Sequence, residues 1–128
     1  MQQFVLAAIQ AGMVKSAHDV SDGGLAVCLA ECCITNPDQL LGCTAALCSD
    51  IRPDALWFGE AQSRIVVSLP PVKQTAFEKF AREYSVPIHV LGEVTGERFH
   101  IDNICDFDPR QLKDAYYNCL PQLMERTI

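Results

Sequence analysis

Two stretches of this chain carry residue types able to do chemistry. The first, Ser16-Ala17-His18-Asp19-Val20-Ser21-Asp22-Gly23-Gly24-Leu25, places two carboxylates, a histidine and a glycine pair directly before an apolar run. Glycines at a strand-to-helix turn permit positive φ and close backbone approach. The first amides of the helix they open point outward unpaired, which suits an anion. Asp19 and Asp22 would repel a bare phosphate, so either a divalent cation bridges them to it or they cap the helix themselves. A wholly structural account also covers the string, with Ser21 or Asp22 as N-cap and Gly23-Gly24 as turn residues.

The second stretch, Phe58-Gly59-Glu60-Ala61-Gln62-Ser63-Arg64, leads into Ile65-Val66-Val67-Ser68-Leu69, an apolar strand with a polar cluster at its mouth. Arg64 either clamps a phosphate with its planar fork or pairs with Glu60 or Asp22 to fix the loop, and the ion pair is the favoured reading. His18 is read as orienting the neighbouring loop.

The elements that must position these residues alternate between helix and strand. Gln3 to Gln10 carries Phe4, Val5, Ala8 and Ile9 at helical spacing, with Gly12 placed to end the helix. A short strand around Ala17-His18-Asp19 delivers the first motif. Gly24 to Ile34 reads as a largely buried helix stopped near Asn36-Pro37, and Thr44 to Cys48 as a strand. Pro53 opens a short helix carrying Leu56 and Trp57 straight into the second motif. After the strand Ile65 to Leu69, Pro70-Pro71 begins a helix whose Phe77, Phe80, Ala81 and Tyr84 form one core face. Strands Ile88 to Val94 and Arg98 to Ile101 are expected to pair as a hairpin turned at Thr95-Gly96-Glu97. Asp108-Pro109 is an N-cap and first-turn pair, and Leu112, Ala115, Tyr116 and Leu120 continue the last helix. Mixed hairpin and crossover connections point to an α/β (α+β) sandwich, a mixed sheet covered by helices.

Composition narrows the function classes. The 128 residues suffice for one ordinary core, so the chain 1–128 is read as a single domain. A formal net charge of -6 without a Lys/Arg run argues against nucleic acid as a partner. No apolar segment reaches the length of a membrane span, and the start has no signal-peptide pattern, so the chain is read as cytoplasmic. Seven cysteines, an odd number, argue against a disulfide framework and are read as buried, reduced, apolar-like thiols. No paired ligand spacing marks a zinc site, and His89 and His100 sit in expected strands without a matched nucleophile.

The pairing of SAHDVSDGGLAV with FGEAQSRIVVS, followed by Leu91-Gly92-Glu93-Val94-Thr95-Gly96, resembles the C-terminal domain of the phosphoribosylformylglycinamidine synthase family, within the aminoimidazole ribonucleotide synthetase superfamily. That resemblance implies a distantly ferredoxin-like sandwich, and a domain of a larger synthetase. Its family converts formylglycinamide ribonucleotide to the amidine with ATP and glutamine-derived ammonia, in purine biosynthesis. It implies ATP and Mg2+ as cofactors, with Asp19 on the metal and Asp22, Gly23, Gly24, Glu60, Gln62 and Arg64 lining a nucleotide or phosphate cleft. The implied partners are the N-terminal ATP-binding domains of the same enzyme, a glutaminase subunit or domain, and the small-molecule substrate. The family is internally duplicated, and Val-Ser-Asp-Gly-Gly with Glu-Ala-Gln are the versions associated with its second half. There the corresponding cleft is a pseudo-site, so no residue is assigned a catalytic role. Alone, the chain is expected to be inactive, and either to expose apolar area where the missing half packs or to self-associate in a way that hides it. The rival readings are another superfamily member, such as a selenophosphate or thiamin monophosphate ATP-dependent enzyme, or a non-catalytic α/β interaction module.

Overall fold

The computed structural model describes residues 1–126. It contains five α-helices, α1 Gln2–Gln10, α2 Gly24–Ile34, α3 Pro53–Phe58, α4 Gln74–Glu83 and α5 Pro109–Glu125. Six strands accompany them, β1 Ser16–Asp19, β2 Gly42–Ala45, β3 Ile65–Ser68, β4 Gly92–Thr95, β5 Phe99–Ile101 and β6 Cys105–Phe107. A single 3-10 turn, Pro71–Lys73, leads into α4. The result is the expected mixed α+β arrangement, with the strands divided between two sheets. β1 and β3 form an antiparallel ribbon, and the other four strands run in the order β4-β2-β5-β6. Within the larger sheet β2 pairs antiparallel with β4 and parallel with β5.

That order corrects the expected hairpin at Thr95-Gly96-Glu97. β4 and β5 lie on opposite sides of β2, and the short connection between them arches over the end of β2 at Gly42. A Cβ at Gly42 would stand 2.2 Å from the Arg98 carbonyl oxygen, so only glycine lets the arch pass this close. The turn composition at 95–97 was real, but the strand that fills the gap comes from fifty residues earlier and leaves no local trace. Two strand boundaries move as well: the strand expected over Thr44 to Cys48 spans Gly42–Ala45, and the one expected from Ile88 starts only at Gly92. His89 is therefore outside any strand and exposed. β6, unforeseen, pairs back on β5 through a turn in which Asn103 has φ 57°.

Two apolar clusters hold the elements together. The larger gathers Val20, Leu25, Cys28, Leu29 and Cys33 with Leu56, Trp57, Cys43, Phe99 and Ile101, so α2 packs on β2 and β5 of the four-stranded sheet and α3 packs on α2. α2 is buried almost all round, which is why it shows no polar stripe. In the smaller cluster Phe4 and Ala8 of α1 meet Phe77 and Ala81 of α4, with Phe4 packed at 5.3 Å between ring centroids on Phe77. β3 joins the two: Val66 packs on the first cluster and Val67 on the second, the alternation of a strand half-buried on both faces. Seven free cysteines are present, of which Cys28, Cys33 and Cys43 are buried as expected. Cys48 and Cys119 are instead exposed, because the 46–52 loop and the outer face of α5 lie outside both clusters.

Candidate functional site

The antiparallel register of the ribbon decides where the two motifs meet. Asp19 at the end of β1 pairs with Ile65 at the start of β3, and the Val20 amide donates to the Arg64 carbonyl at 2.9 Å. Both polar loops therefore emerge from one end of the ribbon, although 37 residues separate Gly23 from Glu60.

The structural reading of the first loop is corrected in its particulars. Neither Ser21 nor Asp22 caps α2; the N-cap is Gly23, with φ 78° and no side-chain cap of its own. The Gly23 amide donates instead to Oε1 of Glu60 at 2.9 Å. Gly23 and Gly24 both have left-handed backbone, and a Cβ on Gly24 would lie 2.6 Å from the Phe58 carbonyl carbon. The glycine pair is thus required for the helix to start against the end of α3, since a side chain fits neither the φ nor the space.

Arg64 corrects the second expectation. It makes no ion pair with Glu60 or Asp22; Nη1 donates to the Leu56 carbonyl at 3.2 Å, Nε to the Ala61 carbonyl at 3.5 Å, and Nη2 closely to the Gly59 carbonyl. The reason is local: α3 ends at Phe58, its last carbonyls have no helical partners, and a guanidinium supplies several donors in one plane. Ser63, next to it, has φ 62°, an uncommon backbone for a non-glycine residue, here held between the loop and β3.

His18 is set as an orienting residue. Its Nδ1 lies 2.7 Å from the Asp19 carbonyl oxygen, and its Nε2 lies 3.4 Å from Oε2 of Glu31 on α2. The hydrogen bond to the Asp19 carbonyl raises the His18 pKa most, burial opposes it, and the charge of Glu31 adds to the rise. Glu31 was missed in the sequence, yet it had a signal, being the one charged residue in the apolar helix 24–34. Behind the same strand, the Cys28 thiol approaches the Asp19 carbonyl at 3.5 Å and is held protonated by its contact with Cys32 and by burial.

Asp19, Asp22, Glu60 and Gln62 are all exposed at this end of the molecule, and Arg64 is half-buried beneath them. Among the described residues no group of three His, Cys, Asp or Glu side chains is placed to hold a metal ion. A cation at Asp19 would need most of its ligands from water and from phosphate oxygens, a donor set that magnesium accepts in phosphoryl-transfer sites. Asp19 offers one exposed carboxylate of the kind such a donor set uses. Among the described residues no helix is long and apolar enough to cross a membrane.

Comparison with known proteins follows the same lines. The family model described as AIR synthase related protein, C-terminal domain, matches residues 1–102. Phosphoribosylformylglycinamidine synthase subunit PurL of Anaeromyxobacter dehalogenans strain 2CP-C is 35% identical over 133 residues, covering 98% of this chain and 18% of that protein. The subunit of the same name from Brucella ovis is 38% identical over 123 residues, covering 95% of this chain and 16% of that protein. The chain thus spans less than a fifth of the length of these curated relatives. Among solved structures, T. maritima PurL complexed with FGAR superposes with a TM-score of 0.72 at 23% identity, over 87% of this chain and 20% of that one. T. maritima PurL complexed with ATP gives a TM-score of 0.71 at 23% identity, with the same coverage.

Proposed function

The chain belongs to the AIR synthase related protein C-terminal domain family, and on that premise we propose that it is the C-terminal domain of an ATP-dependent phosphoribosylformylglycinamidine synthase. In that enzyme the γ-phosphoryl group of ATP passes to the amide oxygen of formylglycinamide ribonucleotide. Ammonia from glutamine then adds to the amide carbon, and phosphate leaves. The domain's part is to complete a nucleotide or phosphate cleft: Asp19 would hold magnesium, exposed Asp22 and Gln62 form the rim, Gly23 and buried Gly24 let α2 start beneath it, and Glu60 and Arg64 fix its shape. Magnesium, when bound, offsets the charge of the phosphates. His18 holds the Asp19 backbone through the 2.7 Å contact with its carbonyl, and Glu31 holds His18 from behind.

The observation that carries this reading is the convergence of both motifs at one end of the β1–β3 ribbon. The partners we propose are the ATP-binding domains of the same enzyme, which would close the cleft, and a glutaminase subunit. The solved structure of PurLQS from T. maritima supports the expectation of further subunits. The free thiols fit the reducing cytoplasm as its compartment.

The test is calorimetric titration of Mg-ADP into the protein joined to its ATP-binding domain, with and without Asp19→Ala. We expect the carboxylate deletion to weaken binding at least tenfold. Unchanged binding would leave Asp19 as a surface residue and the chain as a non-catalytic α/β module.

A further inference from the structure

We propose that Glu60 is a positioning residue: its carboxylate caps helix α2 from across the fold and locks the 19–24 loop to the 59–64 loop, so that the two site loops behave as one unit. The first turn of any helix leaves amides that need an acceptor, and a residue preceding the helix usually supplies it. α2 has no such residue, because its N-cap is a glycine and the Ser21 and Asp22 side chains do not turn back onto the helix. The acceptor that does reach the Gly23 amide, at 2.9 Å, comes from Glu60. A carboxylate is also the acceptor that the positive end of a helix favours.

The position of Glu60 is itself imposed. Arg64 gathers the Leu56, Gly59 and Ala61 carbonyls, which sets the backbone on both sides of residue 60. Gly24 abuts the Phe58 backbone, and the Val20 amide bonds the Arg64 carbonyl, so contacts flank the capping bond on either side. Glu60 thereby ceases to be a candidate for direct contact through Oε1, and a phosphate would find the Gly23 amide already taken. The geometry of the cap stands by itself; that it shapes a nucleotide cleft rests on the reading given above.

The chemistry of the cap separates two variants. Glu60→Gln retains an oxygen of the same reach and can still accept the Gly23 proton, whereas Glu60→Ala cannot. Amide hydrogen exchange of the 128-residue chain, read residue by residue by NMR without nucleotide, is the measurement, and the α4 amides report whether the fold persists. We expect Gly23 to exchange about tenfold or more faster in Glu60→Ala and at close to the wild-type rate in Glu60→Gln. Equal protection of Gly23 in wild type and Glu60→Ala would overturn the proposal, as would a Glu60→Gln chain that exchanges like Glu60→Ala. Should Glu60→Ala lose protection throughout α4 as well, Glu60→Asp replaces it, with a carboxylate one methylene too short for Gly23. Fast exchange confined to Gly23 and its loop then supports the cap, and wild-type protection removes it. Because nucleotide is absent from the experiment, a failed Asp19→Ala test leaves this result standing, and the reverse holds too.

Discussion

Arg64 is where side-chain chemistry most directly sets the candidate site. Its donors reach three carbonyls around the end of α3, of which those of Leu56 and Gly59 are part-buried and would otherwise lose this partner. Leaving such acceptors without partners costs roughly 1–3 kcal/mol, so Arg64→Ala should lower the unfolding free energy by about that much in urea titration. Arg64→Lys should recover only part of it, because a single ammonium cannot address three carbonyls spread in a plane. A fully stable Arg64→Lys would mean that charge alone matters at this position. The sequence made Arg64 visible as a member of a polar cluster but not its partners, since backbone carbonyls have no residue letter. The same limit hid the capping of α2: Ser21 and Asp22 are both good N-cap types, and only the register of β1 on β3 brings Glu60 close enough to replace them. The placement of Asp19, by contrast, was legible: it ends β1, exposed, before the glycine turn, where local residue types put it.

At the scale of elements, helices were readable and strand pairing was not. α1, α2, α3 and α5 lie where caps, prolines and apolar spacing put them, and α4 begins one 3-10 turn later than Pro70-Pro71 suggested. These signals act within a few residues. The order β4-β2-β5 depends on a contact between residues 42 and 98, which only the folded chain makes. The most local of the helix signals gives a prediction of its own. Asp108 caps α5 by accepting from the Arg110 amide, and Gln111 reaches back to the Asp108 amide to complete a capping box. Its hydrogen bonds to Arg110 lower the Asp108 pKa from 3.8 to about 2. A depressed folded pKa gives stability that is present above the unfolded value and is lost as pH falls through the folded one. The cap should therefore be intact above about pH 4 and fail between there and pH 2. In NMR the amides of the first turn of α5 should lose protection over that window, and Asp108→Asn, which caps without titrating, should flatten the change. Loss of protection centred well above pH 4 would place the titrating group elsewhere.

For the molecule as a whole, the position of the site decides what the chain can do alone. Every carboxylate of the candidate cleft is exposed at the end of the β1–β3 ribbon, although Val20 and Leu25 beside them are buried in the larger apolar cluster. Phosphoryl transfer to an amide oxygen needs reactants held in line and water kept out, since otherwise ATP or the activated amide is hydrolysed. A rim of Asp19, Asp22, Glu60 and Gln62 open to solvent can orient a metal-bound phosphate but cannot exclude water from it. The chain also covers only 18% of the length of a PurL relative. The purified 128-residue chain should therefore show no formylglycinamidine ribonucleotide synthesis above background with ATP, magnesium and ammonia. Adding the ATP-binding domains in the same polypeptide should restore nucleotide binding at the cleft. Ammonia serves better than glutamine in this assay, because it removes any dependence on a glutaminase and leaves the cleft as the variable. Turnover by the chain alone would mean that the rim closes over its substrate unaided, and the division of labour proposed for this domain would have to be abandoned.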